Sequence, residues 1–275
     1  MGVLIGTVGS GTDSARAARC LTNLKNLASA CQTYGMDKGH FPLAGSVETM
    51  SVPRNGSQVE KEYRETPGWI SWYSNGSYSS GKVASHVASS GWFASAYTTD
   101  ADVREYCLTN GALWKYVSAN RDLYVCPDHK IKFGKAAPAW SYVMNKYFRW
   151  AGSEASPKSA GYSGIGFSDL KRADRRLLFA EMPFVANDIV STVNTSTGAG
   201  TASDCVLQYD DEIIGFNHKS GKKALSAHVV FADGHTEKLA WPRSGMTETQ
   251  AKNLTKWLCE GTDFSFDGKV YKELD

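Results

Sequence analysis

The chain has 275 residues, 42% hydrophobic and 21% charged, a balance that allows a sizeable core and argues against both disorder and a protein of many membrane spans. Thirty Lys and Arg against 28 Asp and Glu leave a net charge of +2, and no stretch gathers the basic cluster that a nucleic-acid partner requires. The densest basic run, Lys171 to Arg176, is broken by Asp174 and reads as a solvated turn.

Residues 1–13 are rich in small residues and hold one short apolar run, Val3-Leu4-Ile5, far below the roughly 20 residues of a membrane span. They read as a leader remnant, with a native targeting or membrane segment expected upstream. From Ser14 onward, Cys20, Leu24, Leu27, Cys31 and Tyr34 recur at helical spacing with polar Asn23, Lys25, Asn26 and Gln32 between them, which predicts an amphipathic helix over 14–35. Leu21, Leu24, Leu27, Cys31 and Tyr34 are its expected packing residues, Gly35 its expected stop, and Phe41-Pro42 the exit into extended chain.

Residues 44–98 are rich in Gly, Ser, Trp and Tyr and show no sustained helical period, so they read as a large irregular or β-rich insertion. Aromatics among small polar residues, as at Trp69 and Trp72, also fit a surface that binds glycan or protein. Thr99 is placed to cap a short helix over 100–108, and a second short helix follows over 112–117. Leu123-Tyr124-Val125-Cys126-Pro127-Asp128 reads as an apolar strand closed by a turn at the proline, with further strands over 140–144 and 177–180 and a sheet segment near 207. The low-complexity stretch 191–203 is expected to be a mobile loop. Asp233-Gly234 between two strand-like runs signals a two-residue hairpin. Thr247 and Gln250 have capping-box spacing ahead of a helix that runs to Gly261.

Six cysteines, at 20, 31, 107, 126, 205 and 259, include no Cys-x-x-Cys pair, so neither a zinc ribbon nor a thioredoxin-like motif is available. Cys20 and Cys31 cannot bridge each other on one helix, being about 16 Å apart at about 1.5 Å per residue. His218, His228, Asp233 and His235 fall within eighteen residues and would suit zinc, but a hairpin puts His228 and His235 several pairs apart. His235 then reads as a surface residue and Asp233 as a turn former. Asp263 and Asp267-Gly268 miss the spacing of a calcium loop. No nucleophile elbow, phosphate loop, dinucleotide fingerprint or His-Glu-x-x-His helix occurs, so no catalytic residue, metal or cofactor is assigned.

In order along the chain, Arg19 to Leu27, Tyr34 to Pro42, Leu123 to Asp128, Ser141 to Asn145, Leu177 to Glu181, and Asn217-His218 with Val229 to His235 match a known pattern. The chain resembles bacterial pilin-like proteins related to type II secretion pseudopilins, which have a prepilin-type N-terminus and a C-terminal motif of His, nine residues and Asp-Gly. Two features depart from the family: fourteen residues separate His218 from Asp233-Gly234, and the apolar first half of the family helix is missing.

The resemblance implies an α+β fold, with a long N-terminal amphipathic helix packed on an antiparallel β-sheet, and one domain over 14–275. It implies a non-enzymatic subunit of a type IV pilus-like or pseudopilus-like filament, processed by a prepilin peptidase and set in place by an assembly machinery. Such a subunit is anchored in the inner membrane of the cell envelope, its globular part on the periplasmic side, and meets other pilin-like subunits through its first helix. Since Cys20 and Cys126 lie in matching segments and that compartment favours disulfides, they form the expected pair. The rival readings are a glycan- or protein-binding module using Trp69 and Trp72, and a metal hydrolase using His218, His228 and Asp233.

Overall fold

Helix α1 spans Leu4–Lys38 in the computed structural model. The structure describes residues 4–49, 68–74, 92–93, 107–134, 139–148, 150–151, 164–183, 205–207, 212–220, 224–242, 247–261, 264–266 and 269–271. From Thr12 to Arg19 no helix residue is buried; the buried stripe starts at Cys20 and continues through Asn23, Leu24, Leu27, Ala28, Cys31 and Tyr34. Leu21 departs from its expected packing role and is only half-buried, because it sits on the flank of that stripe. The helix also outruns Gly35, which lies against the Phe167 ring, and stops at Gly39, where φ is +80° and the N–H bonds the Gly35 carbonyl at 2.7 Å.

Strands β1 (Gly45–Thr49), β2 (Ser71–Ser74) and β3 (Trp92–Phe93) fall within the 44–98 insertion. After them in the chain comes an irregular stretch that departs from the sequence reading. Arg121–Tyr124 is a 3-10 turn, with the Asn120 side chain accepting from the Asp122 N–H, and Pro127–Phe133 is helix α2, with Cys126 at its N-cap. The expected strand there is absent because Pro127 occupies the first helical position, where its fixed φ suits a helix start and its missing N–H costs nothing. The expected helix over 112–117 is a 3-10 turn, Trp114–Val117.

Next come β4 (Tyr142–Asn145), β5 (Trp150–Ala151), β6 (Leu177–Glu181), β7 (Val206–Leu207), β8 (His218–Ser220), β9 (Ala224–Phe231) and β10 (Thr236–Pro242). Helix α3, Glu248–Glu260, has the anticipated capping box of Thr247 and Gln250 and ends at Gly261; β11 (Phe264–Phe266) and β12 (Lys269–Tyr271) pair after it.

The main sheet has the order β10-β9-β6-β4-β7, with β8 also paired to β9. The sheet expected to be antiparallel is mixed, because β4 and β7 run parallel. A smaller sheet, β3-β2-β1-β5, is mixed as well. The class is therefore α+β, helices with mixed sheets. β9 lies alongside α1, with β6, β8, β10 and α2 also close to it, and residues of α1, β6, β9 and β10 share one buried cluster.

Trp69, which only the binding-module reading places at a surface, is fully buried and donates its indole N–H to the Cys205 carbonyl at 3.0 Å. Trp72 lies on β2, its side chain outside the described set. The 191–203 loop, residues 100–106 of the helix expected over 100–108, Asp263 and Asp267-Gly268 also lie outside the described residues, while 107–109 are helical.

The hairpin differs from the expected two-residue turn. Val230 pairs Thr236, the Gly234 N–H bonds the Phe231 carbonyl at 2.9 Å, and the Phe231 N–H bonds the His235 carbonyl at 2.9 Å. The loop is thus three residues, Ala232-Asp233-Gly234, a type I turn followed by a left-handed glycine at φ +92°. A Cβ at Gly234 would meet the Gln32 amide of α1 at 3.1 Å, and Gln32 donates to the Ala232 carbonyl at 3.3 Å.

Gly234→Val is expected to destabilise the fold by about 1 kcal/mol or more, because a β-branched residue resists positive φ. An unchanged urea midpoint would refute the loop geometry. Leu24→Ala and Leu27→Ala, at fully buried positions, are each expected to cost about 2–5 kcal/mol in the same measurement.

Candidate functional site

Glu181 ends the apolar strand β6, whose five residues are all buried, and by alternation shares its sheet face with Phe179, so the strand carries a carboxylate into the interior. It pairs Tyr142 on β4. On the other side, one position beyond the pair Ala180 and Val229, the His228 N–H of β9 donates to Glu181 Oε2 at 3.2 Å. No solvent reaches the side chain.

The other Glu181 oxygen gathers the site. His218 Nε2 donates to Oε1 at 2.9 Å, and the Cys20 thiol approaches the same oxygen at 3.0 Å. Cys126 Sγ lies 3.5 Å from His218 Nε2, and Tyr142 donates its hydroxyl to Cys20 Sγ at 3.4 Å. The ligand atoms of Cys20, Cys126, Glu181 and His218 all fall within 4.8 Å of one another, every one of these residues buried.

Four elements deliver the four residues. Cys20 opens the buried stripe of α1, and Asn23, three residues on along the same face, donates to the carbonyls of Asp122 at 3.2 Å and Val125 at 3.4 Å. Those bonds hold the chain that carries Cys126, whose N–H is taken by Ser141 Oγ at 2.6 Å. His218 enters on β8, opposite Ser226 of β9, so its ring stacks on the diagonal neighbour His228 at a centroid distance of 4.0 Å.

A second layer orients these groups. His218 Nδ1 donates to Asp128 Oδ2 at 2.6 Å, and Asp128 also accepts from Arg16, which pairs Asp13 in turn. Lys219 reaches Asp13 at 2.9 Å on the outside. The site therefore grades from a dry centre to a solvated rim of charge.

The charges follow. Burial would raise the Glu181 carboxyl, but the adjacent His218 imidazolium more than offsets it and holds the group well below the usual carboxylate range. Burial opposes charge on His218, yet Glu181 and Asp128 on its two nitrogens push it up to about 12. Asp128 is lowered, burial again being outweighed by His218 and Arg16. Burial raises Cys20, whereas at Cys126 burial is outweighed by hydrogen bonds with Cys20, His129 and His218, which lower it. Burial drives His228 down to about 4.

Of the residues singled out in the sequence, the structure brings His218 and His228 together and leaves Asp233 and His235 apart from them. Asp233 accepts from the N–H and ring Nδ1 of His235 within the hairpin loop, at 3.0 and 2.6 Å. Cys20 and Cys126 do meet, but as separate thiols: all six cysteines are buried and none is disulfide-bonded. Glu181 and Asp128 were missed as site residues. The signal for Glu181 was an acid continuing the inward phase of an apolar strand; nothing local marks Asp128. Comparison with protein-family models, with curated proteins and with solved structures finds no match in any of the three.

The buried imidazole generates an acid sensitivity. His228 has a native pKa of about 4 against an ordinary 6.5, so the unfolded chain takes up a proton that the native state refuses between those values. Its contribution is full above about pH 6.5 and is lost as pH falls towards 4, by up to about 3 kcal/mol. Metal-free protein should show urea midpoints that drop as pH falls from about 6 to 4.5, where His218 is largely protonated in both states. The drop should be smaller in His228→Phe, and equal slopes would refute the assignment.

Proposed function

We propose that the chain is the globular, envelope-side part of a pilin-like filament subunit, with no catalytic turnover. The observation that carries this reading is where the matching segments meet. Arg19 to Leu27 supplies Cys20, Leu123 to Asp128 supplies Cys126 and Asp128, Ser141 to Asn145 supplies Tyr142, Leu177 to Glu181 supplies Glu181, and Asn217-His218 supplies His218. Pieces that resemble one family in order along the chain have a common physical task, which coincidence of sequence would not require.

In this reading α1 is the family's first helix, its C-terminal half laid on the sheet and its earlier turns left for neighbouring subunits. The absence of buried residues from Thr12 to Arg19 supports that division. Among the described residues no helix is long and apolar enough to cross a membrane. On the filament reading an apolar extension of this helix would anchor the subunit, and head-to-tail packing of such helices gives an open filament rather than a closed ring. Each rival has one weakened support, since Trp69 is inside the core and Asp233 stands apart from His218 and His228, while the Trp72 side chain lies outside the described residues.

The product of the complete native gene is expected to carry about 20 apolar residues ahead of this chain. It should fractionate with inner membranes and, coexpressed with its assembly machinery, appear in sheared filaments. A cleavable secretory signal with no retained apolar helix would overturn the reading.

A further inference from the structure

We infer that Cys20, Cys126, Glu181 and His218 form a closed, four-ligand site for a zinc ion that fastens α1 and the α2 start to the sheet. The inference stands on the cluster alone and does not depend on the filament reading.

The donor set is the first ground. Two sulfurs, one imidazole nitrogen and one carboxylate oxygen are the ligands zinc takes in tetrahedral sites, and sulfur excludes the all-oxygen preference of calcium and magnesium. Spacing is the second. Zinc bonds of about 2.0–2.3 Å at tetrahedral angles place neighbouring ligand atoms roughly 3.3–3.8 Å apart. Cys126 Sγ and His218 Nε2 already stand at 3.5 Å, while the approaches of His218 and Cys20 to Glu181 Oε1, at 2.9 and 3.0 Å, need to open by about half an ångström.

Orientation is the third ground. His218 turns Nε2 into the cluster and gives Nδ1–H to Asp128, the carboxylate–histidine arrangement that fixes a metal-binding imidazole. The free oxygen of Glu181 is likewise held, by the His228 N–H. Protons alone serve this centre poorly, because the single Nε2–H is shared between Glu181 Oε1 and Cys126 Sγ. Beside it lies the fully buried His228 ring, neither of whose nitrogens has a hydrogen-bond partner among the described residues, with Nδ1 3.9 Å from Glu181 Oε2. Buried polar groups are otherwise hydrogen-bonded, so an unsatisfied imidazole beside these donors marks a centre whose polar inventory is incomplete without a further group.

Zinc binding releases the thiol protons of Cys20 and Cys126 and the Nε2 proton of His218, while the Nδ1 proton stays on its bond to Asp128. All four ligand residues are buried, at 0%, 0%, 0% and 1% exposure, so no coordination position is open to substrate and the ion is structural.

The test uses the chain produced in zinc-supplemented medium without a polyhistidine tag or chelator, with elemental analysis of the folded protein. Zinc should be stoichiometric in the wild type and in Cys31→Ser, a buried cysteine outside the cluster. Cys126→Ser and His218→Gln should lose it, and Asp128→Asn should weaken its retention at least about tenfold. Should the ligand variants fail to fold, wild-type protein stripped and refilled with cobalt(II) decides: it should show thiolate-to-cobalt charge transfer and the intense visible bands of a tetrahedral ion. Folded wild type that carries no zinc and gives no thiolate–cobalt band would overturn the inference. So would full zinc retention in Cys126→Ser or His218→Gln, stoichiometric iron or copper in its place, or a Cys20–Cys126 disulfide in the folded protein.

Discussion

A carboxylate with no access to water, set in the middle of a sheet, is the constraint to which the rest of this molecule answers. Glu181 lies between β4 and β9, where neither solvent nor strand backbone can satisfy both oxygens. Leaving such a charge uncompensated costs several kcal/mol, on the order of 3–5 when one partner of a buried pair is removed. Its partners therefore have to arrive together: His218 from β8, the Cys20 thiol from α1 and the His228 N–H from β9. Each comes from a different part of the chain, so satisfying one side chain fixes the relative position of three elements. Tyr142 and Asp128 extend the requirement to β4 and α2.

The attachment of α1 divides the work between apolar and polar contacts. Leu24, Leu27, Ala28, Cys31 and Tyr34 bury a continuous stripe, and that burial supplies most of the stabilisation without specifying how far the helix slides along the sheet. Polar contacts specify it. Cys20 meets Glu181, Asn23 bonds the carbonyls before Cys126, Gln32 bonds the hairpin loop, and Asp37 accepts from Tyr116 at 2.8 Å. A slip of one helical turn would leave several of these groups without partners, whereas the leucines would still find apolar surroundings. This is the sense in which buried polar groups set register while hydrophobic ones set stability.

Periodicity made α1 and α3 legible in the sequence, because helix spacing and capping chemistry are local. The strands at 142–145, 177–181 and 224–242 were legible for the same reason, their apolar runs being bounded by turn residues. The 121–128 segment was not. Its composition suits a strand, and only the capping by Asn120 and the place of Pro127 turn it into a 3-10 turn and a helix start. A sheet segment near 207 was legible but its parallel direction was not, since β7 is two residues long and its sense depends on distant chain. The site was half legible: three histidines close in sequence drew notice, but two of its ligands are cysteines 106 positions apart and its centre is a lone glutamate, joined only by tertiary packing.

The interval between His218 and Asp233-Gly234 has a geometric meaning that the residue count between them conceals. His218 faces Ser226 across the β8–β9 pairing, so the relevant length runs along β9 from Ser226 to the loop at Ala232. Six residues of strand cover about 20 Å. On α1 the corresponding anchors are Cys20 in the cluster and Gln32 at the loop, twelve residues apart and about 18 Å along the axis. The two lengths agree, and this is why one helix reaches both ends of the motif. Residues added between β8 and β9 leave that match untouched, whereas residues added or removed within β9 would carry the loop away from Gln32 or His228 away from Glu181. A fourteen-residue interval is therefore compatible with the same helix-to-sheet fit as a shorter one, provided the difference lies outside the strand that α1 follows.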